Sequence, residues 1–194
     1  MELIILECIL VVSLKGENKM AAIETKIKKG YTLELHYDDS PSSPREWDNI
    51  FTFNCYHRNY DLSDVDQSDR DNIGQLKFPI YMYEHTGIAF SHTPFSCGWD
   101  SGQVGVASIS RAKLEKEGID EKKLEDYLEG ELEVYQAYIN GEVYGYMLKD
   151  EEDDVIDSCW GYFTSEDAMT EGKHMMQHYI KKEEKLGVQM CLAL

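Results

Sequence analysis

Short stretches that alternate apolar and polar residues are grouped together in this chain, and the helical patterns stand apart from them. Residues 32–37 alternate as a strand does, and residues 142–148 and 155–163 form a predicted hairpin across an acidic turn. Further strands are predicted at 51–57, 78–84, 87–91 and 104–109. Strands that pair in hairpins, rather than alternating with helices, favour an antiparallel sheet. We therefore predict an α+β fold with a mainly antiparallel sheet of about six or seven strands and two or three helices.

Three segments carry helix signals. Ser110 is a predicted N-cap of a short helix, and residues 120–140 form a second helix that stops at Gly141. The apolar stripe of this second helix is Leu124, Leu128, Leu132, Tyr135 and Ile139. Thr164 and Asp167, three residues apart, resemble a capping box and begin a last helix.

The start of the chain differs from the rest. Residues 15–17, Lys-Gly-Glu, can be encoded by AAAGGAGAA, which is a bacterial ribosome-binding sequence placed just upstream of Met20. We therefore expect residues 1–19 to be a mis-annotated upstream extension. Residues 20–194 are then expected to form a single α+β domain, since 100–200 residues is the usual length of one domain.

The chain is strongly acidic, with a formal charge of -18 and a pI near 4.6. Such a charge is repelled by nucleic-acid phosphates and anionic membrane surfaces, so we predict no direct nucleic-acid or membrane binding and a basic protein as partner. Residues 1–12 are apolar but too short to span a bilayer and lack the basic start of a signal peptide. Five scattered cysteines do not form a disulfide framework, which favours the cytoplasm.

Residues 81–105 contain the chain's most unusual combination of side chains in predicted loops: His85, His92, Cys97, Asp100 and Gln103. A cysteine nucleophile needs a neighbouring base to form the thiolate, and His85 or His92 is placed to supply it. Asp100 or Gln103 would then orient that base or stabilise an oxyanion. This pattern gives the alternative function, a hydrolase that uses Cys97 and His85. The alternative is a buried cysteine in a turn packed by Trp99.

Other cysteines and acidic residues suggest weaker alternatives. Cys159 lies on a predicted strand and would approach Cys97 if the strands paired suitably. A zinc site would use ligands from Cys55, His57, His85, His92 and Cys97, but their spacing is not that of known zinc motifs. Asp64, Asp66, Ser68 and Asp69 faintly resemble a calcium loop, but the required Gly and terminal Glu are missing. We therefore predict neither a metal nor a cofactor.

The second predicted helix lies in the most acidic part of the chain, since residues 111–157 hold 16 Asp/Glu and 6 Lys/Arg. Glu121, Glu125, Glu129 and Glu133 recur every four residues and share one helix face. This acidic row rises about 6 Å per step, close to the roughly 7 Å of two steps along a nucleic-acid strand. The row is thus a candidate mimic of DNA that binds a basic groove. The alternative is a solvated helix flank.

Several strings are distinctive together: Pro-Arg-Glu-Trp-Asp at 44–48, Tyr-Glu-His-Thr-Gly at 83–87, Thr-Pro-Phe-Ser-Cys-Gly-Trp-Asp-Ser-Gly-Gln-Val-Gly at 93–105, Gly-Glu-Val-Tyr-Gly-Tyr at 141–146 and Asp-Ser-Cys-Trp-Gly-Tyr at 157–162. They resemble an uncharacterised family of proteins encoded in phages and mobile elements of Gram-positive bacteria. The resemblance implies a genomic context and no activity. Together with the acidity, it favours a non-enzymatic phage or prophage accessory protein that binds a host protein, in its sharpest form an inhibitor of a host defence system.

Overall fold

A computed structural model describes residues 21–57, 59–60, 62–65 and 74–192, with side chains to residue 186. The described strands and helices form a single α+β domain in which the chain packs as two compact units. One unit is Ser42–Asn140, and the other comprises the described residues up to Pro41 and from Gly141 onward. The expected upstream extension, residues 1–19, and Met20 lie outside the described residues.

The unit formed by the described residues up to Pro41 and from Gly141 onward contains a four-stranded antiparallel sheet in the order β1-β2-β7-β8. Its strands are β1 (Glu24–Lys28), β2 (Tyr31–Tyr37), β7 (Tyr144–Lys149) and β8 (Val155–Tyr162). Helix α3 (Ser165–Leu192) packs on one face of this sheet, where Leu33, Leu148, Ala168 and Met176 form part of the core. The predicted hairpin of β7 and β8 is confirmed.

The unit Ser42–Asn140 contains a second antiparallel sheet in the order β3-β6-β4-β5. Its strands are β3 (Thr52–Cys55), β4 (Leu76–Glu84), β5 (Ile88–Ser91) and β6 (Ser101–Ile109). Helices α1 (Arg111–Glu117) and α2 (Leu124–Ile139) follow β6. Short 3₁₀ turns occupy Pro44–Glu46 and Glu121–Lys123.

The caps expected from the sequence set the helix ends. Ser110 Oγ accepts the Lys113 amide N–H at 3.1 Å, and α1 ends at Gly118 with φ of 67°, a left-handed conformation that glycine adopts without strain. Thr164 Oγ1 accepts the Asp167 amide N–H at 3.1 Å before α3. The stripe of α2 is confirmed as well, because Leu124, Leu128, Leu132 and Tyr135 are buried. These positions recur on one face and fix the rotation of the helix about its axis.

The α+β class and the antiparallel pairing are confirmed. Two features were not expected. The strands are divided between two sheets, since hairpin signals predict local pairs and not how distant hairpins combine. Strand β1 was not predicted either, because its sequence, Glu-Thr-Lys-Ile-Lys, has one apolar residue, Ile27, and that side chain is 74% exposed. No helix of the described chain combines the length and apolar composition needed to cross a bilayer.

Each of the two units contains a buried tyrosine, Tyr31 or Tyr135, and we therefore expect both units to lose stability at alkaline pH. Burial raises the pKa of Tyr31 and of Tyr135 to about 12, from an ordinary value of 10.0. Above pH 10 the unfolded chain loses these phenolic protons while the folded chain keeps them, so the free energy of unfolding falls as pH rises from 10 to 12. Below pH 10 these two groups contribute no pH dependence. The urea midpoint should therefore fall between pH 10 and 12.

The double variant Tyr31→Phe with Tyr135→Phe is the control, since it should lose less stability over the same range. The tyrosinate absorbance contributed by Tyr31 and Tyr135, taken as the difference between the wild-type protein and the double variant, should appear together with unfolding and not before it. A midpoint that stays constant from pH 10 to 12, or ionisation of both tyrosines in the folded chain near pH 10, would contradict the expectation.

Candidate functional site

The acidic row lies on the solvent side of α2 and of the turn before it. Glu125, Glu129 and Glu133 each follow a buried position of the stripe by one residue, and all three side chains are exposed. No lysine or arginine of the described chain lies within 4.0 Å of any of these three carboxylates. Glu121 differs, because it forms an exposed ion pair with Arg111 at 3.7 Å. The row therefore presents three uncompensated negative charges on successive turns of one helix.

Another carboxylate of α2 is used within the fold. Glu131 Oε1 accepts the amide N–H groups of Ile50 at 2.6 Å and Phe51 at 3.2 Å. Its other oxygen, Oε2, accepts from Arg45 Nη1 at 2.9 Å, and the Glu131 side chain is only 13% exposed. Helix α2 thus carries two kinds of glutamate, one that joins it to the loop before β3 and a row that the fold leaves to solvent.

Arg45 is the centre of a buried polar cluster that the sequence analysis did not identify. Its Nε and Nη2 donate to the two oxygens of Asp64 at 3.0 and 2.5 Å, and Nη2 also donates to the Phe51 carbonyl at 2.8 Å. The guanidinium lies 3.6 Å from the centre of the Phe53 ring. The only sequence signal was an arginine within a Pro-Arg-Glu-Trp string, which does not reveal its partners.

Both oxygens of the Asp64 carboxylate therefore accept hydrogen bonds within the fold. Besides Arg45, its Oδ2 accepts the Phe53 amide N–H at 2.6 Å. These contacts give Asp64 a structural role in place of the calcium-ligand role considered from the sequence. The other residues of that faint motif, Asp66, Ser68 and Asp69, lie outside the described residues.

Three loops meet at one end of the sheet in Ser42–Asn140, and most of the predicted Cys/His site lies there. Tyr60 donates its hydroxyl to Glu84 Oε1 at 2.9 Å, which raises the pKa of Tyr60, and the Glu84 amide donates to the Asp100 carbonyl at 2.9 Å. The rings of His57 and Tyr60 stack at 5.2 Å. These contacts join the segment after β3, the end of β4 and the β5–β6 loop.

The Cys97 thiol is half-buried in this cluster and lies 4.0 Å from Asp100 Oδ2. His85 is exposed, its ring is edge-on to that of Tyr83, and no hydrogen bond joins it to Cys97 within the described chain. Gln103 donates to the Gly105 carbonyl of its own strand at 3.2 Å. Cys97 and Asp100 are thus in contact, while the base and the oxyanion donor are not assembled around the thiol.

The alternative interpretation of Cys97 requires Trp99 to pack over its thiol. Trp99 does not do so, because it is 97% exposed. A large aromatic side chain at the tip of the β5–β6 loop is therefore free to contact a partner. No sequence pattern distinguished it from a core tryptophan, since its neighbours Gly98 and Asp100 are typical of any turn.

The remaining thiols are separate. Cys55 is buried, and burial raises its pKa to about 12, so it stays a neutral thiol. Cys159 is exposed on β8, and the three described cysteines are free. Across the described ranges, no group of three or more His, Cys, Asp or Glu side chains is arranged to hold a metal ion.

The unit that contains β8 also has a polar cleft with a volume of about 280 Å³. It is lined by Lys29, Tyr31, Asp150, Glu151, Glu152 and Glu183. Lys29 is paired with Glu184 beside it, and the Glu183 carboxylate, after burial, helps to raise the pKa of Tyr31. The cleft is acidic but has no arrangement typical of a catalytic centre.

Comparison with known proteins supplies no template for these surfaces. No protein-family model, curated protein or solved structure matches the chain. Function is therefore inferred from geometry and charge alone.

Proposed function

We propose that this protein is a non-enzymatic binding protein that presents the acidic row to a basic groove of a partner protein. The observation that carries the proposal is the exposure of Glu125, Glu129 and Glu133 without an ion pair, on a helix whose Glu131 is fully used by the fold. A helix held rigidly by its buried leucines displays these charges at fixed separations. Fixed charges lose little conformational freedom when they bind, which favours affinity.

The spacing favours a partner that normally binds nucleic acid. Glu125 and Glu133 are eight residues apart, which is about 12 Å along a helix. Alternate phosphates of one DNA strand are separated by roughly 7 Å along the axis, so successive carboxylates of the row match them to within about 1 Å per step. The proposed partner is a basic host protein, and the inhibitor of a host defence system is the specific form of this proposal.

The row also costs the free protein some stability. Like charges four residues apart on a helix destabilise it by about 0.2–0.5 kcal/mol per pair. Lys122 and Lys123 lie on the preceding turn and form no ion pair with the row among the described residues. A repulsion that the fold tolerates without compensation is typical of a functional surface.

Reversing the row tests the proposal. The variant Glu125→Lys, Glu129→Lys, Glu133→Lys should lose at least about ten-fold in capture of a partner from bacterial lysate, because each reversal replaces attraction by repulsion. Short duplex DNA should displace the partner from the wild-type protein, and the displaced protein should itself bind DNA. Capture is measured by quantitative pull-down, and folding by circular dichroism.

The matched control makes the same change of charge away from the row. Glu115, Glu142 and Glu152 are exposed and form no ion pair within the described residues, so their reversal to lysine should leave capture within about two-fold if charge acts only locally. Undiminished capture by the folded row variant would refute the proposal, and so would equal loss in the control.

The hydrolase alternative built on Cys97 and His85 remains a prediction. None of the contacts in the described residues favours it, because the hydrogen-bond partner of the thiol is the Asp100 carboxylate and not an imidazole. The phage or prophage origin and the cytoplasmic location likewise remain predictions that follow from the resemblance and the composition.

A further inference from the structure

The two sheets have four edge strands, and the chain treats them differently. An edge strand exposes unpaired backbone N–H and C=O groups, to which another chain can add a strand. Folded proteins usually cover such edges or place charges on them. The contacts at β1, β3, β5 and β8 show which edges are closed.

Contacts from neighbouring segments cover both edges of the sheet in Ser42–Asn140. At β5, the Ile88 amide N–H donates to Asn140 Oδ1 at 2.9 Å, and Asn140 Nδ2 donates to the Ile88 carbonyl at 2.8 Å. The Phe90 amide donates to Gln136 Oε1 at 2.9 Å. At β3, the Phe53 amide N–H donates to Asp64 Oδ2 at 2.6 Å, and the Asp64 amide N–H donates to the Phe53 carbonyl at 2.9 Å. Both edges are thus covered by contacts from neighbouring segments.

The edge at β1 is protected by charge. Two of its five residues, Lys26 and Lys28, are lysines, and Lys29 follows directly and pairs with Glu184 of α3. Lysine on an edge strand opposes the approach of a second strand, because its charge would lose water.

Strand β8 is the exception. Of its eight residues only Asp157 is charged, and that carboxylate accepts the Tyr146 hydroxyl at 2.8 Å. Val155 is 53% exposed and Trp160 is 43% exposed, and residues 158–161 are all exposed. Within the described chain, the hydroxyl of Tyr179, which donates to the Ile156 carbonyl at 3.2 Å, is the one side chain from another element that bonds the backbone of β8. Register shifts interrupt the pairing of β8 with β7 at Ile156 and at Gly161, so the open part of the edge is residues 157–160.

Trp160 is held in place rather than free at this edge. Its ring lies so close to the backbone of Gly145 that a Cβ there would be 2.2 Å from the ring, and the ring of His36 is 6.3 Å away. A tryptophan that is fixed on one side and exposed on the other is typical of a binding surface, because it contributes area at little cost in conformational entropy.

The charges around β8 identify the class of ligand. Exposed acidic residues lie at both ends of the strand. Asp153, which is paired with Lys149 at 3.4 Å, and Asp154 precede it, and Glu166 and Asp167 follow it. An added strand with basic residues at its two ends would meet opposite charge at each end. We propose that β8 binds an extended basic peptide segment by strand addition, with β-branched side chains in its middle that contact Trp160 and Val155.

A second copy of the chain fits this edge less well. Antiparallel pairing of β8 with itself would bring Asp153 and Asp154 of one copy towards Glu166 and Asp167 of the other, which places like charges together. The proposed site is in a different unit from the acidic row, so it does not rest on the proposed function, and each can fail alone.

Amide hydrogen exchange tests the site with the synthetic peptide Lys-Thr-Val-Thr-Val-Thr-Lys. In the free protein, alternate amides of residues 157–160 should exchange fast, and their neighbours, which are bonded to β7, should exchange slowly. The peptide at millimolar concentration should slow the fast amides by about ten-fold, the change that follows from a local opening free energy raised by about 1.4 kcal/mol. A peptide with Glu in place of both Lys should give no protection.

Two variants locate the binding. Asp154→Lys with Glu166→Lys should lose the protection, whereas the variant of the row at Glu125, Glu129 and Glu133 should keep it. The proposal is overturned if the Lys peptide gives no protection, if the Glu peptide protects equally, if the row variant loses the effect, or if sedimentation shows that the same amides become protected by self-association.

Discussion

Replacing Arg45 with methionine is expected to lower the free energy of unfolding of the unit Ser42–Asn140 by about 3 kcal/mol, the lower end of the usual loss when one partner of a buried ion pair is removed, because the cluster is largely but not fully buried. The Arg45 side chain is 10% exposed, and its partners Asp64 and Glu131 are 18% and 13% exposed. Methionine fills much of the volume but leaves two carboxylates without their cation. Urea denaturation followed by circular dichroism measures the loss.

The size of this effect depends on where the cluster lies. Through Asp64 and Glu131, the same carboxylates also bond the backbone N–H groups of Phe53, Ile50 and Phe51. Arg45 therefore supports the start of β3, the closure of its edge and the attachment of α2. The guanidinium over the Phe53 ring adds a further contact worth about 0.5–2 kcal/mol.

A double-mutant cycle separates the charge interaction from packing. Glu131→Gln keeps an oxygen acceptor for the backbone amides but removes the negative charge, so its cost should be smaller than that of Arg45→Met. The two changes together should cost less than their sum by about 0.5–3 kcal/mol, since they affect one interaction. Arg111→Met is the exposed control, because the Arg111–Glu121 pair at 3.7 Å is largely solvated and should contribute less than about 1 kcal/mol. If Arg45→Met lowered the free energy of unfolding by no more than Arg111→Met does, the Arg45 cluster would not stabilise the fold.

This cluster also shows where sequence reasoning fails. Arg45 is 19 residues from Asp64 and 86 from Glu131. No local periodicity connects residues so far apart, and their pairing depends on how β3 and α2 pack. The division into two sheets was missed for the same reason. By contrast, the Ser110 cap and the stripe of α2 were predicted correctly, because capping and amphipathicity involve residues within one or two turns.

For the candidate sites too, the sequence predicts local properties but not contacts between distant segments. Exposure of Glu125, Glu129 and Glu133 could be inferred from their place beside the leucine stripe, which is a property of the helix alone. The distance between Cys97 and His85 could not be inferred from the sequence, because it depends on the conformations of two loops. The open edge of β8 was also beyond the sequence, because a strand's pattern does not show whether it is central or at an edge.

Leu128→Ala is the second change with a large expected effect. Leu128 is fully buried in the middle of the stripe of α2, in the core that includes Phe53, Ile80 and Met82. Truncating a buried leucine to alanine costs about 2–5 kcal/mol, from lost burial and from the cavity that remains. The urea midpoint of the unit should fall accordingly, while Leu128→Met, which conserves volume, should cost less than about 1.5 kcal/mol.

Glu129, the residue next to Leu128, provides a matched control that separates partner binding from stability. Glu129→Lys lies one position along the same helix but on its exposed face, so it should change stability by no more than about 0.5 kcal/mol, in the stabilising direction if repulsion in the row is relieved. Leu128→Ala should keep partner capture under conditions where it is folded and lose it only as the unit unfolds. Glu129→Lys should lose capture while fully folded.

These opposite outcomes separate the scaffold from the surface that it presents. If the acidic row binds the partner, stability and capture vary independently across the two substitutions, since one changes the buried face of α2 and the other its charged face. Loss of capture by folded Leu128→Ala would show that binding depends on the packing of α2 as well as its charge. Full capture by Glu129→Lys, and by the triple reversal, would place the partner elsewhere on the molecule and leave the row as an ordinary solvated helix face.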